Sequence, residues 1–220
     1  FQNDDDQSLF QKLKLLPQST RTVRVHGSGV DLETFPPVPL PDEPIFLMLS
    51  RLITDKGVHE YVSAARQLRQ HYPNAKFRLA GGFDSNPAAI KETALQAWVD
   101  EGVIEYLGNL RPVQSALAAC RFFVLPSYRE GTPRSVLEAL ATGRPVITTD
   151  APGCRETVVH GENGLLVAPR DNEALATAMI KLIEMPHADI QRMANSSLAM
   201  ARNKYDVDKV NADLLKVMGL

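Results

Sequence analysis

Glu130 and Glu138 are the residues in this chain whose type and spacing best support chemistry. They lie in Tyr128-Arg129-Glu130-Gly131-Thr132-Pro133-Arg134-Ser135-Val136-Leu137-Glu138. An ionised carboxylate only accepts hydrogen bonds, and its two oxygens can take both hydroxyls of a vicinal diol. Eight residues at helical rise separate the two acids by roughly 12 Å. That span suits a nucleotide-sugar, with Glu138 on the ribose diol, Glu130 on the sugar hydroxyls and the pyrophosphate between them. Gly131, Thr132, Arg134 and Ser135 would shape the phosphate and sugar contacts. A helix start placed between the acids offers free N–H groups and a positive dipole end to an anion. The plainer reading, a surface Glu and a solvated helix Glu, accounts for the same two residues.

The neighbouring sequence predicts how this segment is held. Phe122 to Pro126 is an apolar, β-branched and aromatic run, hence a buried strand. A helix follows through about Leu140, with Pro133 suited to its first turn and Gly143 and Pro145 closing it. Ile45 to Ser50 is a second continuous apolar run, as a strand buried on both faces should be. Arg51, Lys56 and Gly57 follow it directly, and Val58 to about Tyr72 reads as a helix. Ligands of open α/β sheets bind off the carboxyl ends of the strands, which is where Arg51 and Lys56 fall. A pair of solvated loop cations is the plain alternative.

These residues resemble a known family. R-E-G-T-P-R-S-V-L-E-A-L-A-T-G-R-P-V-I-T-T-D, with Glu, seven residues and Glu, is similar to the donor-site signature of retaining glycosyltransferases of family 4, and S-R-L followed by K-G matches as well. The likeness runs over nearly the whole chain and is greatest to bacterial enzymes of capsule, O-antigen and lipid-linked oligosaccharide synthesis. It implies the carboxy-terminal, nucleotide-sugar-binding half of a two-domain GT-B fold, a Rossmann-like parallel sheet with helices on both faces. It further implies catalytic or donor-binding roles for Glu130, Arg51 and Lys56, donor contacts from Gly131, Thr132, Arg134, Ser135 and Glu138, and a UDP-sugar donor. Arg51 and Lys56 would neutralise the diphosphate, so that no metal or other cofactor is implied. The acceptor would be a saccharide or a polyprenyl-diphosphate-linked glycan, bound by a preceding domain at the cytoplasmic face of the membrane. One departure is Pro133. Many relatives have a Gly there that can offer an N–H, so Arg134 N–H or the Ser135 hydroxyl must replace it.

On this reading residues 1–37 are an entry segment and linker, 38–204 the nucleotide-sugar-binding domain and 205–220 a crossover helix. The chain begins with Phe1 rather than Met, as a fragment does. Asp4-Asp5-Asp6 contains Asp-x-Asp, a metal-holding pattern elsewhere, but a helix start before Leu9-Phe10-Gln11-Lys12-Leu13 explains the same acids. Thr22 to His26 alternates like a strand, and the five prolines between Phe35 and Pro44 predict a stiff, extended linker. Lys76–Ala80, Val103–Leu107, Pro145–Thr149 and Leu165–Val167 read as strands. Helices are predicted over Pro87–Glu101, Val113–Cys120, Asn172–Glu184, Ala188–Lys204 and Val207–Met218, with Trp98 packed on the sheet. Strand and helix alternation signals a parallel sheet covered on both faces.

The bulk numbers agree with a globular chain. Its 220 residues are 44% hydrophobic and 23% charged with net charge −2, so there is no nucleic-acid footprint. No apolar run nears the ~20 residues of a membrane span. Cys120 and Cys154 are too few for a disulfide framework and lack metal-ligand spacing. Five scattered histidines form no ligand pair. The G-x-G-x-x-G fingerprint is absent, which argues against a nicotinamide dehydrogenase. Two rivals remain: a nucleotide-sugar epimerase or phosphorylase of related fold, and a non-catalytic nucleotide-binding module.

Overall fold

The apolar runs form six strands in the computed structural model, which describes residues 1–17 and 19–219. They are β1 (Ile45–Leu49), β2 (Lys76–Ala80), β3 (Glu105–Tyr106), β4 (Phe122–Leu125), β5 (Val146–Thr149) and β6 (Gly164–Val167). All neighbouring pairs are parallel, in the order β3-β2-β1-β4-β5-β6. Parallel neighbours need crossovers. α2 (Val58–Arg69), α3 (Glu92–Asp100), α4 (Gln114–Ala118) and α5 (Arg134–Ala141) supply the first four, and a 3-10 turn at Arg155–Thr157 lies between β5 and β6. Every residue of β4 and β5 is buried, so β4 reads as an unbroken apolar run, while β5 ends on Thr148 and Thr149, whose hydroxyls donate to Leu125 O and Ser127 O. Phe46 stacks on Phe77 at 5.5 Å and tilts against Phe122 at 4.9 Å, so the centre of the sheet is aromatic.

The chain moves outward from β1 to β3, then returns to place β4 on the other side of β1. Phe46 pairs with Phe122 across this reversal. A crevice opens at such a switch point beyond the carboxyl ends of the strands. The order is that of a Rossmann-like sheet, as the sequence led us to expect.

The remaining helices are α1 (Asp4–Lys12), α6 (Asn172–Glu184), α7 (His187–Met200) and α8 (Val207–Met218). Asn3 caps α1 by accepting from Asp6 N–H at 2.7 Å, and Asp171 caps α6 from Ala174 N–H at 2.8 Å. The three acids that open α1 are each ion-paired to an arginine: Asp4 to Arg24, Asp5 to Arg155 and Asp6 to Arg129.

Four expectations need correction. Thr22–His26 is not a strand, because its neighbour Phe1 makes only two backbone hydrogen bonds, with Val23 and Val25, before the chain turns into α1. The helix expected from Pro87 begins at Glu92. Residues 88–90 instead bond to the loop after β1, through Thr54 N–H to Ala88 O and Ile90 N–H to Leu52 O. Pro133 is the residue before the helix, with extended backbone (φ −72°, ψ 109°), not part of its first turn. Helix α7 gives way at Ala201–Tyr205 to a π turn. Trp98 packs against the buried core, as expected, with its ring edge-on to His59 of α2 at 5.5 Å.

The proline-rich stretch is fastened to the sheet by Arg144, which is fully buried. Its guanidinium donates to Val38 O at 2.8 Å, Pro39 O at 3.2 Å and Cys120 O at 3.0 Å. Prolines leave carbonyls without returning donors, and one planar five-donor group satisfies several of them at once. Both cysteines are buried and free, and burial pushes the Cys120 and Cys154 thiols up to about 12 and about 11. Among the described residues no helix is long and apolar enough to cross a membrane.

Candidate functional site

The loops that leave β1 and β4 meet at the switch point. Ser127 Oγ and Tyr128 N–H both donate to Asp55 O, at 3.1 and 2.9 Å. Gly57 completes the approach: with φ +78°, a Cβ there would lie 2.2 Å from Pro126 O. Only glycine tolerates both the left-handed backbone and this contact. The residue before it, Lys56, is thereby aimed at the residue two beyond Tyr128. Lys56 Nζ contacts Glu130 Oε1 at 2.5 Å, with the side chains only 18% and 12% exposed.

Around this pair is a cleft of about 410 Å³, within the range of small-molecule sites. Six of the eight residues singled out from the sequence line it: Arg51, Lys56, Glu130, Arg134, Ser135 and Glu138. Their charges are already matched. Arg51 Nη1 holds Asp84 Oδ2 at 2.8 Å, and Arg134 Nε holds Glu138 Oε1 at 3.0 Å from one helical turn earlier. Glu138 is 7% exposed. Burial raises its pKa above the ordinary carboxylate value, with Arg134 pulling the other way. The Arg134 side chain is 76% exposed, so it can swing away at little cost.

Helix α5 begins beside these groups. Val136 and Leu137 N–H return to Pro133 O, which leaves the Arg134 and Ser135 amides without a protein acceptor among the described residues. Two amides at a helix start, with the dipole behind them, make a seat for an anion. They stand where Pro133 has no N–H to give.

Gly131 and Thr132 do not line the cleft. Thr132 faces Gly27 and a small cavity shared with His26, Glu156 and Lys204, and Gly131 lies under Gln2 and Asn3. Arg155 is bound to Asp150 and Asp5. Sequence reasoning missed Asp84 and Arg111. Asp84 is 33 residues from its partner Arg51, and nothing in its local pattern marks it. Arg111 follows the Gly108-Asn109-Leu110 edge and reaches the cleft beside Asn109.

Fold and site together define a Rossmann-like α/β domain with an anion-ready cleft between two loops at its switch point. The chain belongs to the glycosyl transferases group 1: the model of that family matches residues 43–185, well over half of the chain. An N-acetylgalactosaminyltransferase of Campylobacter jejuni, named for transfer to N,N'-diacetylbacillosaminyl-diphospho-undecaprenol, is 30% identical over 198 residues, 84% of this chain and 50% of that protein. The structure of sucrose-phosphate synthase from Thermosynechococcus elongatus superposes with a TM-score of 0.85 at 24% identity, covering 99% of this chain and 56% of that one. Anabaena HepE, solved with UDP, gives 0.84 at 23%, covering 99% and 62%. At such identities the two structures speak for the fold. The chain spans about half the length of the curated relatives it matches.

Proposed function

We propose that this chain is the donor-binding half of a bacterial polysaccharide glycosyltransferase, and that it holds a UDP-sugar for transfer with retention at the anomeric carbon. The observation that carries the reading is the Lys56–Glu130 pair beside the free amides of α5. A cation for the diphosphate, an acid for the sugar hydroxyls and an anion seat lie in one cleft, and the partly screened acid Glu138 remains for the ribose. HepE was solved with UDP, which favours the same nucleotide here.

On this proposal Lys56, Arg51 and the α5 amides stabilise the leaving diphosphate, whose charge grows in the transition state. They supply what a divalent cation supplies in other transferases, so the reading assigns no metal. The saccharide or polyprenyl-diphosphate-linked acceptor would be bound mainly by the half of the protein that precedes this one, at the cytoplasmic face of the membrane. Calorimetric titration with UDP, uridine and a panel of nucleotide-sugars tests the proposal. UDP and one or more UDP-sugars should bind, uridine far more weakly. Equal affinity for UDP and uridine would remove Lys56 and Arg51 from the diphosphate. A product with inverted anomeric configuration would refute retention.

A further inference from the structure

The backbone of Glu130 is gripped on both sides by residues outside the signature segment. Its N–H donates to Pro152 O at 2.9 Å. Gly153, next in the chain, lies so close that a Cβ would come within 2.1 Å of Glu130 O. The same carbonyl is met by Asn3, which is fully buried and 127 residues from Glu130 in sequence.

Both polar atoms of the Asn3 carboxamide are engaged. Its oxygen caps α1 through Asp6 N–H. One amide hydrogen goes to Asp6 Oδ2 at 2.9 Å. The other is shared, in a long three-centre contact, between Glu130 O at 3.5 Å and Gly131 O at 3.4 Å. Asp6 in turn is ion-paired to Arg129, the residue before Glu130. The start of α1 therefore holds residues 129–131 at two points, by a neutral contact to the backbone and a charged one to the Arg129 side chain.

We infer that Asn3 is a positioning residue for Glu130: by holding the Glu130 and Gly131 carbonyls against Gly153, it sets the place of the carboxylate that meets the donor sugar. The inference rests on the proposed role of Glu130. Its physical content is that a group aimed from a loop is only as accurate as the backbone beneath it, and misplacement of about 1 Å can cost on the order of 100-fold in a positioned reaction. Asn3 has a second job as a cap, and the two jobs separate by chemistry. Asp and Ser cap helices as well as Asn does or nearly so, but neither carries the amide hydrogens. Asp also sets a carboxylate oxygen against two carbonyl oxygens.

The test uses Asn3→Asp and Asn3→Ser in the full-length protein. Calorimetry gives the Kd of UDP and of the tightest binder among UDP-glucose, UDP-galactose and their N-acetylhexosamine counterparts. Melting temperature serves as a check on the cap. Both variants should lose UDP-sugar affinity, by roughly tenfold or more for Asn3→Asp, while UDP itself binds as before or more tightly. The ratio of the two constants is the decisive readout, because a purely structural lesion lowers both together. A ratio within about twofold of wild type in both variants would overturn the positioning role. Wild-type protein that binds UDP but no UDP-sugar would instead overturn the role of Glu130 on which the inference stands.

Discussion

Glu130→Gln should tighten the binding of UDP and weaken that of UDP-sugar. In the structure Glu130 occupies the cation that the diphosphate needs, with Lys56 Nζ 2.5 Å from Oε1 and both side chains largely shielded from water. A donor must therefore draw Lys56 away from, or share it with, an acid already bound to it. A hydrogen bond to a charged group contributes about 1.5–3 kcal/mol, and a neutral one about 0.5–1.5 kcal/mol. Glutamine keeps the shape and a hydrogen bond from the still-charged ammonium, so it relieves at most the difference between these figures, about 1–1.5 kcal/mol, or up to about 5- to 10-fold in the Kd of UDP. For UDP-sugar the gain is offset by loss of the carboxylate that accepts the sugar hydroxyls. The preference for UDP-sugar over UDP should fall by one to two orders of magnitude, on the order of the loss seen when a charged acceptor is removed. Parallel calorimetric titrations of wild type and variant with both ligands, at low and at physiological salt, measure this. If Glu130→Gln weakens UDP and UDP-sugar by the same factor, the acid supports the site and does not compete for Lys56, and the reasoning fails.

Two further perturbations probe the other buried charges. Glu138 has its folded-state pKa raised by burial, so the native state binds its proton more readily than the unfolded state does. Its ionisation opposes folding, and the cost appears as pH rises from the ordinary carboxylate value of 4.5 through the raised one. Glu138→Gln should therefore melt no lower than wild type at pH 7, with the difference vanishing near pH 4, yet lose about tenfold or more in UDP affinity. A large drop in melting temperature at pH 7 would refute it. Arg144→Met should be destabilising by about 2–4 kcal/mol, since the buried Cys120 carbonyl and two part-buried carbonyls lose a charged donor. In a chain of this size that is roughly 5–15 °C in melting temperature, and a shift under 2 °C in scanning calorimetry would contradict the fastening role.

β1 and β4 were legible because burial on both faces leaves few polar positions to interrupt them. β2 and the helices at Asn172–Glu184 and Val207–Met218 were read to the residue, each bounded by a cap, a glycine or a proline. Thr22–His26 misled because alternation describes a strand's faces but not whether a neighbouring strand exists to pair with it. Pro87–Glu101 misled because the backbone of 88–90 found acceptors and donors in the loop after β1, which no local pattern records. In the site, residue types were legible and partners were not. Lys56 meets Glu130 across 74 residues, and Arg51 meets Asp84 across 33. A sequence names the charges near a strand end, whereas their pairing depends on where folded loops bring the tips of long side chains. Thr132 shows the converse: it lies inside the signature, yet the turn sends it to the opposite side, against Gly27.

The three ion pairs of the cleft explain how such a site can be stable before a ligand arrives. Opposed acids and bases gathered in one half-buried crevice are costly if left unmatched, because each charge loses water without gaining a partner. In these three pairs the acids Asp84, Glu130 and Glu138 are all shielded, and it is the cations that differ. Arg51 and Arg134 are mostly in water, whereas Lys56 is mostly out of it. Exposed pairs contribute little and open easily, so Arg51 and Arg134 are available to an incoming anion at small cost. The shielded pair is the one that resists exchange. On the proposed function, occupation of the cleft by a diphosphate would be governed by the Lys56–Glu130 contact, and a ligand that offers Glu130 new hydroxyl donors as it takes Lys56 would leave neither charge without a partner. A bare nucleotide satisfies the lysine and strands the acid. On the same proposal, discrimination in favour of the sugar-bearing ligand would follow from that imbalance, without any contact that recognises one particular sugar.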